Sequence, residues 1–324
     1  MKFLTILLFV LNTIILCNAF KINDALSFIS SSSSSSYVQE LKDNKRDIEN
    51  YLNVKHIERN IQYNEDRTLD VYYDQESTEL KPVYIFLYGG AWHSGSKVKF
   101  TNFGSLLDNN GYVAVLPDYI LFPYGGFEDM VDDVYHAIKW TFENIQKFGG
   151  DPNRVSISAY SAGSHLTALT LLKSLLNYSN KNIELEPFPE FEKVVLLNGP
   201  YDFDDYSVIN KMIGQSNNSI LEKLVQLIFK SPNVSPTDLL KPLSDNSLTS
   251  LGAKHFVFFY TSLDQQVKES SAINFMDQMK RVCPNVSIEY VYKEGYEHTT
   301  LTRGVRASSP EEENVYLSLL NIKF

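Results

Sequence analysis

Six short apolar runs, each followed by a stretch of helical or partly helical character, constrain this chain more than any other feature. They are "PVYIFLY" (82–88), "YVAVLPDY" (112–119), "RVSISAY" (154–160), "KVVLLNG" (193–199), "KHFVFFYT" (254–261) and "VSIEYVYK" (286–293). Runs rich in β-branched and aromatic residues, without polar alternation, suit strands buried on both faces. Helical patterning over 97–109, 129–148, 161–177, 268–281 and 310–322 separates them. That alternation predicts an α/β fold with a mostly parallel central sheet flanked by helices. Upstream, "VKHIERNI" and "TLDVYY" alternate apolar and polar residues, as a half-exposed antiparallel pair would. Residues 203–250 break the rhythm with helical fragments and the turns Ser231-Pro232 and Ser235-Pro236. They are expected to form a helical cap insertion, a mobile lid over one end of the sheet. With 324 residues, 44% of them hydrophobic, one large core is within reach, and a single domain over 54–324 is expected.

The segment before that domain reads differently. Lys2, an apolar run from Phe3 to Cys17, and small residues at Cys17 and Ala19 fit a secretory signal over 1–19 that is cleaved before Phe20. The run is short for a membrane span of ~20 residues, and an uncleaved anchor is the alternative. Residues 20–53, with an unbroken serine run from Ser30 to Ser36, are expected to be a flexible leader, although Leu41, Ile48 and Leu52 are spaced like a loose helix face. Cleavage would leave Cys283 as the sole cysteine and no intrachain disulfide. Sequons at Asn177, Asn217, Asn233 and Asn285 make a glycoprotein of the secretory pathway the expectation. The net charge of −10, with no Lys/Arg-rich run, argues against nucleic acid as a partner.

The stretch "ISAYSAGSHL" (157–166) carries the first chemistry. A strand followed at once by a small-residue turn and an apolar helix is the setting of a nucleophile elbow, whose signature is G-x-S-x-G. Ser161 occupies the nucleophile position, Gly163 matches the second glycine, and Ala159 replaces the first. A plain helix N-cap serine is the other reading of these ten residues. Upstream, "LYGGAWHSGSK" (87–97) follows the third strand, where an α/β hydrolase builds its oxyanion hole from a Gly-rich loop. The alternative there is a tight turn that merely needs glycine.

A triad in this setting runs in the order Ser, Asp or Glu, His. Of six histidines, His56, His93 and His136 precede Ser161, His165 sits one turn inside the elbow helix as packing, and His255 opens a strand at a surface or edge. His298, in "EGYEHTTL" after the last strand, is placed where a loop can bring its ring to the serine. Asp264 follows the seventh strand and is favoured as the acid; Asp202, Asp204 and Asp205, after the sixth, are rivals. Neither a metal cluster nor a cofactor motif is recognisable, so hydrolysis without a cofactor is expected.

Together "RTLDVYY", "YGGAWHSGSK", "LPDYILFP", "FEDMVDDV", "FGGDPNRVSISAYSAGSHL", "NGPYDF", "YTSLDQQV" and "GYEHTTL" resemble the α/β-hydrolase fold over about residues 65–300. Within it the chain is similar to hormone-sensitive-lipase-like esterases, most of all the prenylcysteine methylesterase branch. The resemblance implies a serine carboxylesterase with Ser161, Asp264 and His298 as triad, and with amides of Gly89, Gly90 and Ala162 as oxyanion hole. It implies a small, apolar ester as substrate, with Trp92, Phe122, Tyr124 and Tyr201 available to line a groove. Prenylcysteine methyl esters are the branch's substrate, yet prenylated proteins face the cytosol while the leader points into the secretory route. An arylformamidase-like amide hydrolase uses the same parts, and a non-catalytic binding protein of the same fold is the rival from another class. Three positions depart from the pattern: Tyr88 for a His before the glycine pair, Ile120 for an Arg after Asp-Tyr, and Ala159.

Overall fold

The computed structural model describes residues 35–204, 231 and 233–322. The chain divides into two compact units, Met1–Glu49 and Asn50–Phe324. The expected signal segment lies outside the described residues. In the first unit the described residues are helical, as part of α1 (Ser35–Asn53). This corrects the expectation of a flexible leader to residue 53. The local cause is charge spacing: Arg46 reaches Asp43 at 3.0 Å, Lys45 pairs with Glu49 at 3.5 Å, and Gln39 donates to Asp43 at 3.0 Å. Pairs at i,i+3 and i,i+4 support a helix even where apolar periodicity is weak.

The second unit is built on an eight-stranded sheet. Its strands are β1 (Ile57–Asn64), β2 (Arg67–Tyr72), β3 (Lys81–Leu87), β4 (Val113–Pro117), β5 (Gly150–Tyr160), β6 (Phe191–Leu197), β7 (Ala253–Thr261) and β8 (Ser287–Lys293). The order across the sheet is β1-β2-β4-β3-β5-β6-β7-β8. Only β1–β2 and β2–β4 pair antiparallel; all other pairs are parallel. The mostly parallel α/β sheet read from the sequence is therefore present.

The helices are α2 (Thr101–Asn109), α3 (Phe127–Asn144), α4 (Ala162–Leu175), α5 (Pro236–Leu240), α6 (Glu269–Val282), α7 (Thr300–Arg306) and α8 (Pro310–Leu320). On one face Phe86 stacks on Phe103 of α2 at 4.1 Å, and Phe103 meets Tyr316 of α8 edge-on at 4.9 Å. On the other, α4 and α6 cover Val194, Leu196 and Phe256. Full burial of each such side chain is worth roughly 1.5–3 kcal/mol.

Two expectations need amendment. The strand "TLDVYY" is not half-exposed: Leu69, Asp70, Val71 and Tyr72 are all buried. Asp70 Oδ1 and Tyr72 OH find partners in the loop that follows β3 and at the start of α2, while Asp70 Oδ2 is buried without one among the described residues. Lys97 Nζ lies 2.7 Å from Asp70 Oδ1 and also donates to Asn60 Oδ1 and Thr68 Oγ1, while Tyr72 OH meets Thr101 Oγ1 at 2.8 Å. Second, most of the expected cap, residues 205–230 and 232, lies outside the described residues. The part that returns is not lid-like. Val234, Ser235, Thr237, Leu239 and Leu240 are buried, and Thr237 N and Oγ1 both donate to Tyr201 O. Ser235 caps α5 by accepting from Asp238 N at 3.2 Å. Among the described residues no helix is long and apolar enough to cross a membrane.

Candidate active site

The parallel strands deliver their C-terminal ends to one edge of the sheet, the place where open α/β sheets bind ligands. Five loops meet there, after β3, β5, β6, β7 and β8.

Ser161 follows β5 and forms the N-cap of α4 with φ 52° and ψ −118°. A non-glycine residue at positive φ costs of order 1–3 kcal/mol and persists only where its surroundings hold it. Here Ser161 N donates to Leu197 O at 2.8 Å, and His165 N donates back to Ser161 O at 3.1 Å. Ser164 Oγ bridges Ala159 O at 2.7 Å and the Leu197 backbone at 3.1 Å, tying the elbow to the end of β6. Glycine is required at 163, where a Cβ would stand 2.3 Å from Leu87 O and 2.4 Å from Tyr88 O. The absent first glycine is accommodated: Ala159 is fully buried, and the close approach to β3 falls on Gly163.

His298, in the loop between β8 and α7, aims its ring at this turn. Its Nε2 is 2.9 Å from Ser161 Oγ and its Nδ1 is 2.7 Å from Asp264 Oδ2. Tyr160 OH donates to His298 O at 3.2 Å and its ring lies beside the imidazole. Asp264, three residues past β7, is saturated. Oδ2 also accepts from Asn198 Nδ2 at 2.9 Å, and Oδ1 accepts from Gln266 N and Val267 N at 2.8 and 2.9 Å. Burial pushes this carboxyl up, but the His298 contact and the two amides outweigh it and hold it below the usual carboxylate range. The rival acids are engaged elsewhere. Asp202 accepts from Asn274 Nδ2 at 2.8 Å and Asp204 pairs with Lys241; Asp205 lies outside the described residues.

Gly89 lies against the serine: a Cβ there would be 2.8 Å from Ser161 Cβ. Gly90 has φ 144°, and Ala91 and Trp92 follow at 48° and 60°. Two successive non-glycine residues in the left-handed region need firm support. The loop after β4 supplies it. Asp118 Oδ1 accepts from Lys97 N at 2.7 Å, Tyr119 OH donates to Tyr88 O at 3.0 Å, and Phe122 N donates to Trp92 O at 2.9 Å. Tyr88, where a histidine was the commoner expectation, stacks on Tyr119 with ring centroids 4.7 Å apart. Ala162 is the first residue of α4, so its N–H belongs to the helix-start amides that have no intrahelical partner. Gly89 thus packs against the serine and Ala162 opens its helix, while Gly90, next in the loop, lies against Ser94.

Of the four aromatic residues offered as groove lining, Trp92 and Tyr201 are turned inward. Trp92 is 1% exposed; its indole N–H donates to His165 Nδ1 at 3.1 Å. Tyr201 is fully buried between Phe258 and Phe275. An amphipathic ring beside a site is drawn inward when apolar neighbours, or a partner for its polar atom, are at hand. Tyr124 is exposed and Phe122 half-buried. His255 is not at an edge: β7 lies between β6 and β8, and its ring meets Ser287 Oγ at 3.1 Å. Sequence reasoning missed Asn198, which anchors the acid through Asp264 and itself bonds Thr261 Oγ1 at 2.9 Å; its only signal is an Asn-Gly directly after a strand. Among the described residues no group of three or more His, Cys, Asp or Glu side chains is placed to hold a metal ion.

The BD-FAE family model matches residues 69–279. A probable isoprenylcysteine alpha-carbonyl methylesterase of Arabidopsis thaliana is 28% identical over 237 residues, 72% of this chain and 54% of the relative. Esterase LipC of Mycobacterium tuberculosis is 27% identical over 230 residues, 69% of this chain and 55% of LipC. The chain spans about half the length of the curated relatives it matches. Among solved structures, esterase B from Lactobacillus rhamnosis superposes with a TM-score of 0.66 at 17% identity, covering 88% of this chain and 92% of that one. Esterase 2 of Thermogutta terrifontis, in a form phosphonylated by sarin, gives 0.60 at 21% identity, with 81% and 93% covered. The architecture is the α/β-hydrolase fold.

Proposed function

The chain belongs to the BD-FAE family, and from that premise we propose that it is a serine carboxylic-ester hydrolase working through an acyl-enzyme. The observation that carries this reading is the unbroken hydrogen-bonded line from Asp264 through His298 to the Oγ of Ser161, a residue held at positive φ on an elbow. His298 Nε2 takes the Ser161 proton as Oγ attacks the ester carbonyl, and Asp264 keeps the Nδ1–H tautomer and stabilises the imidazolium. Amides at Gly89, Gly90 and Ala162 meet the oxyanion; as it collapses the ester C–O bond breaks and the imidazolium gives its proton to the departing alcohol, and water, activated by the neutral histidine, then frees the acid from Ser161. A protein that had lost its chemistry would have no need to keep all three groups within hydrogen-bond distance.

The likeness to isoprenylcysteine alpha-carbonyl methylesterases makes prenylcysteine methyl esters the first substrates to test, followed by short aryl esters and an aryl formamide. The decisive experiment is labelling by a fluorophosphonate probe. Wild-type protein should label at Ser161 and Ser161→Ala should not; a folded Ser161→Ala protein that labels equally overturns the assignment. We also propose the secretory route, on residues 1–19; N-terminal sequencing should find Phe20, and an intact Met1 in membranes would mean an anchor. Glycans are proposed at the exposed Asn177, Asn233 and Asn285.

A further inference from the structure

Buried among aromatic side chains, His165 spends both ring nitrogens on protein partners. Trp92 Nε1 donates to its Nδ1 at 3.1 Å, and its Nε2 lies 2.7 Å from Val234 O. Because an indole N–H can only donate and a carbonyl can only accept, the ring must be the neutral Nε2–H tautomer. Phe127, Phe203 and the Trp92 indole close around it edge-on, with centroids 5.2–5.7 Å away. Burial pushes this imidazole down to about 4, so the acceptor at Nδ1 is present at neutral pH.

The position of this pair gives it a role beyond packing. His165 lies one helical turn from Ser161 and its N–H bonds the Ser161 carbonyl. Trp92 ends the run Gly90-Ala91-Trp92, all at positive φ, that follows Gly89, the residue packed against Ser161. The imidazole therefore joins the nucleophile's helix to the loop whose amides face the developing oxyanion. We propose that His165 is a positioning residue for ester hydrolysis: by accepting from the Trp92 indole it fixes the Gly89–Trp92 backbone relative to Ser161. The proposal rests on the serine-hydrolase reading and adds a residue to it that never touches substrate.

The two ring nitrogens can be tested separately. In His165→Gln the side-chain amide can reach Val234 O but leaves Trp92 without its acceptor; in His165→Asn the oxygen takes the Nδ1 place and keeps it. Kinetics on a short-chain aryl ester, with thermal melts as folding control, should show His165→Gln and Trp92→Phe each lowering kcat about tenfold or more with KM within about twofold. The double variant should be no worse than either single, because both break one contact. His165→Asn should retain kcat within about threefold. Folded variants with wild-type kcat, or a double variant whose loss is the product of the singles, would overturn the proposal. Should His165→Gln fail to fold, a folded Trp92→Phe with unchanged kcat does the same. Fluorophosphonate labelling of the wild type separates the two levels: an inert wild type overturns both readings, whereas a reactive wild type with equally active variants overturns only the positioning role.

Discussion

Asp264 and His298 are joined at 2.7 Å across two loops that follow different strands, and the carboxylate has no oxygen left over. Its other contacts, with Asn198, Gln266 N and Val267 N, orient it toward the ring. Asp264→Asn should therefore lower the ester rate by about three to four orders of magnitude while the fold survives. Asp202→Asn, which breaks only the Asn274 contact, should leave the rate within about twofold. Steady-state rates with circular dichroism decide; a dead Asp202→Asn beside an active Asp264→Asn would move the acid.

Asn198 holds one of the two bonds on the Oδ2 that faces the histidine. Asn198→Ala should cost about tenfold in kcat, or ~1.4 kcal/mol of transition-state stabilisation, since three contacts still hold the carboxylate. Unchanged kcat would show that Asp264 needs no help from β6.

The elbow makes a pair of opposed expectations. Gly163→Ala drives a methyl into two backbone carbonyls of β3 and its following residue, and should abolish soluble protein or activity. Ala159→Gly restores the usual motif yet should not raise the rate, and should lower stability by roughly 0.5–1 kcal/mol through strand entropy. A faster Ala159→Gly enzyme would mean that Ala159 strains the nucleophile.

Lys97 and Asp70 are an ion pair closed off from solvent. Lys97→Met leaves Asp70 charged and buried, and should cost about 3–5 kcal/mol in urea unfolding. Adding Asp70→Leu should recover much of it. A single variant as stable as the wild type would show that water reaches the site.

Acid should destabilise the protein in two stages. The unfolded chain protonates its histidines near pH 6.5, whereas folded His165 resists protonation to about 4. Stability is thus lost as pH falls through that window, by about 1.4 kcal/mol per pH unit for this group. Partial burial holds His93 and His255 low as well, adding the same sign. Asp264, held below its usual range, contributes stability above ~pH 3.9 that is lost only at lower pH, as it titrates in the fold. Unfolding free energies at pH 7.0, 5.5 and 4.5 should fall, and His165→Gln should flatten the slope by about one proton. An unchanged slope would place the proton elsewhere.

Much of this was legible in the chain. The runs that became β3 to β7 carry enough β-branched and aromatic residues to declare a buried strand, whereas β8, read the same way, is the half-exposed edge strand. Chain order left three histidines after the serine, and only His298 stood in a loop past the last strand. What stayed hidden depends on side-chain direction. Trp92 and Tyr201 looked like groove residues because they flank the site, but only the structure shows each ring turned inward. Asp70 read as the wet side of a strand because its cover, Lys97, comes 27 positions later. Asn198 and His165 look like punctuation and packing until their partners are known. The helix over 35–53 was obscured by its serines, since charge pairs rather than an apolar stripe support it.

The order of the strands has a bearing on how the molecule is made. Ser161 leaves the ribosome long before His298, and the base arrives only after β8 has found its place beside β7. A nascent chain emerging through the loop after β7 can carry the serine and its acid but nothing to draw off the proton. Parallel pairings of this kind close late, because each spans a long loop. Hydrolytic power should therefore switch on abruptly near the end of synthesis, and a chain released early should be inert rather than partly active.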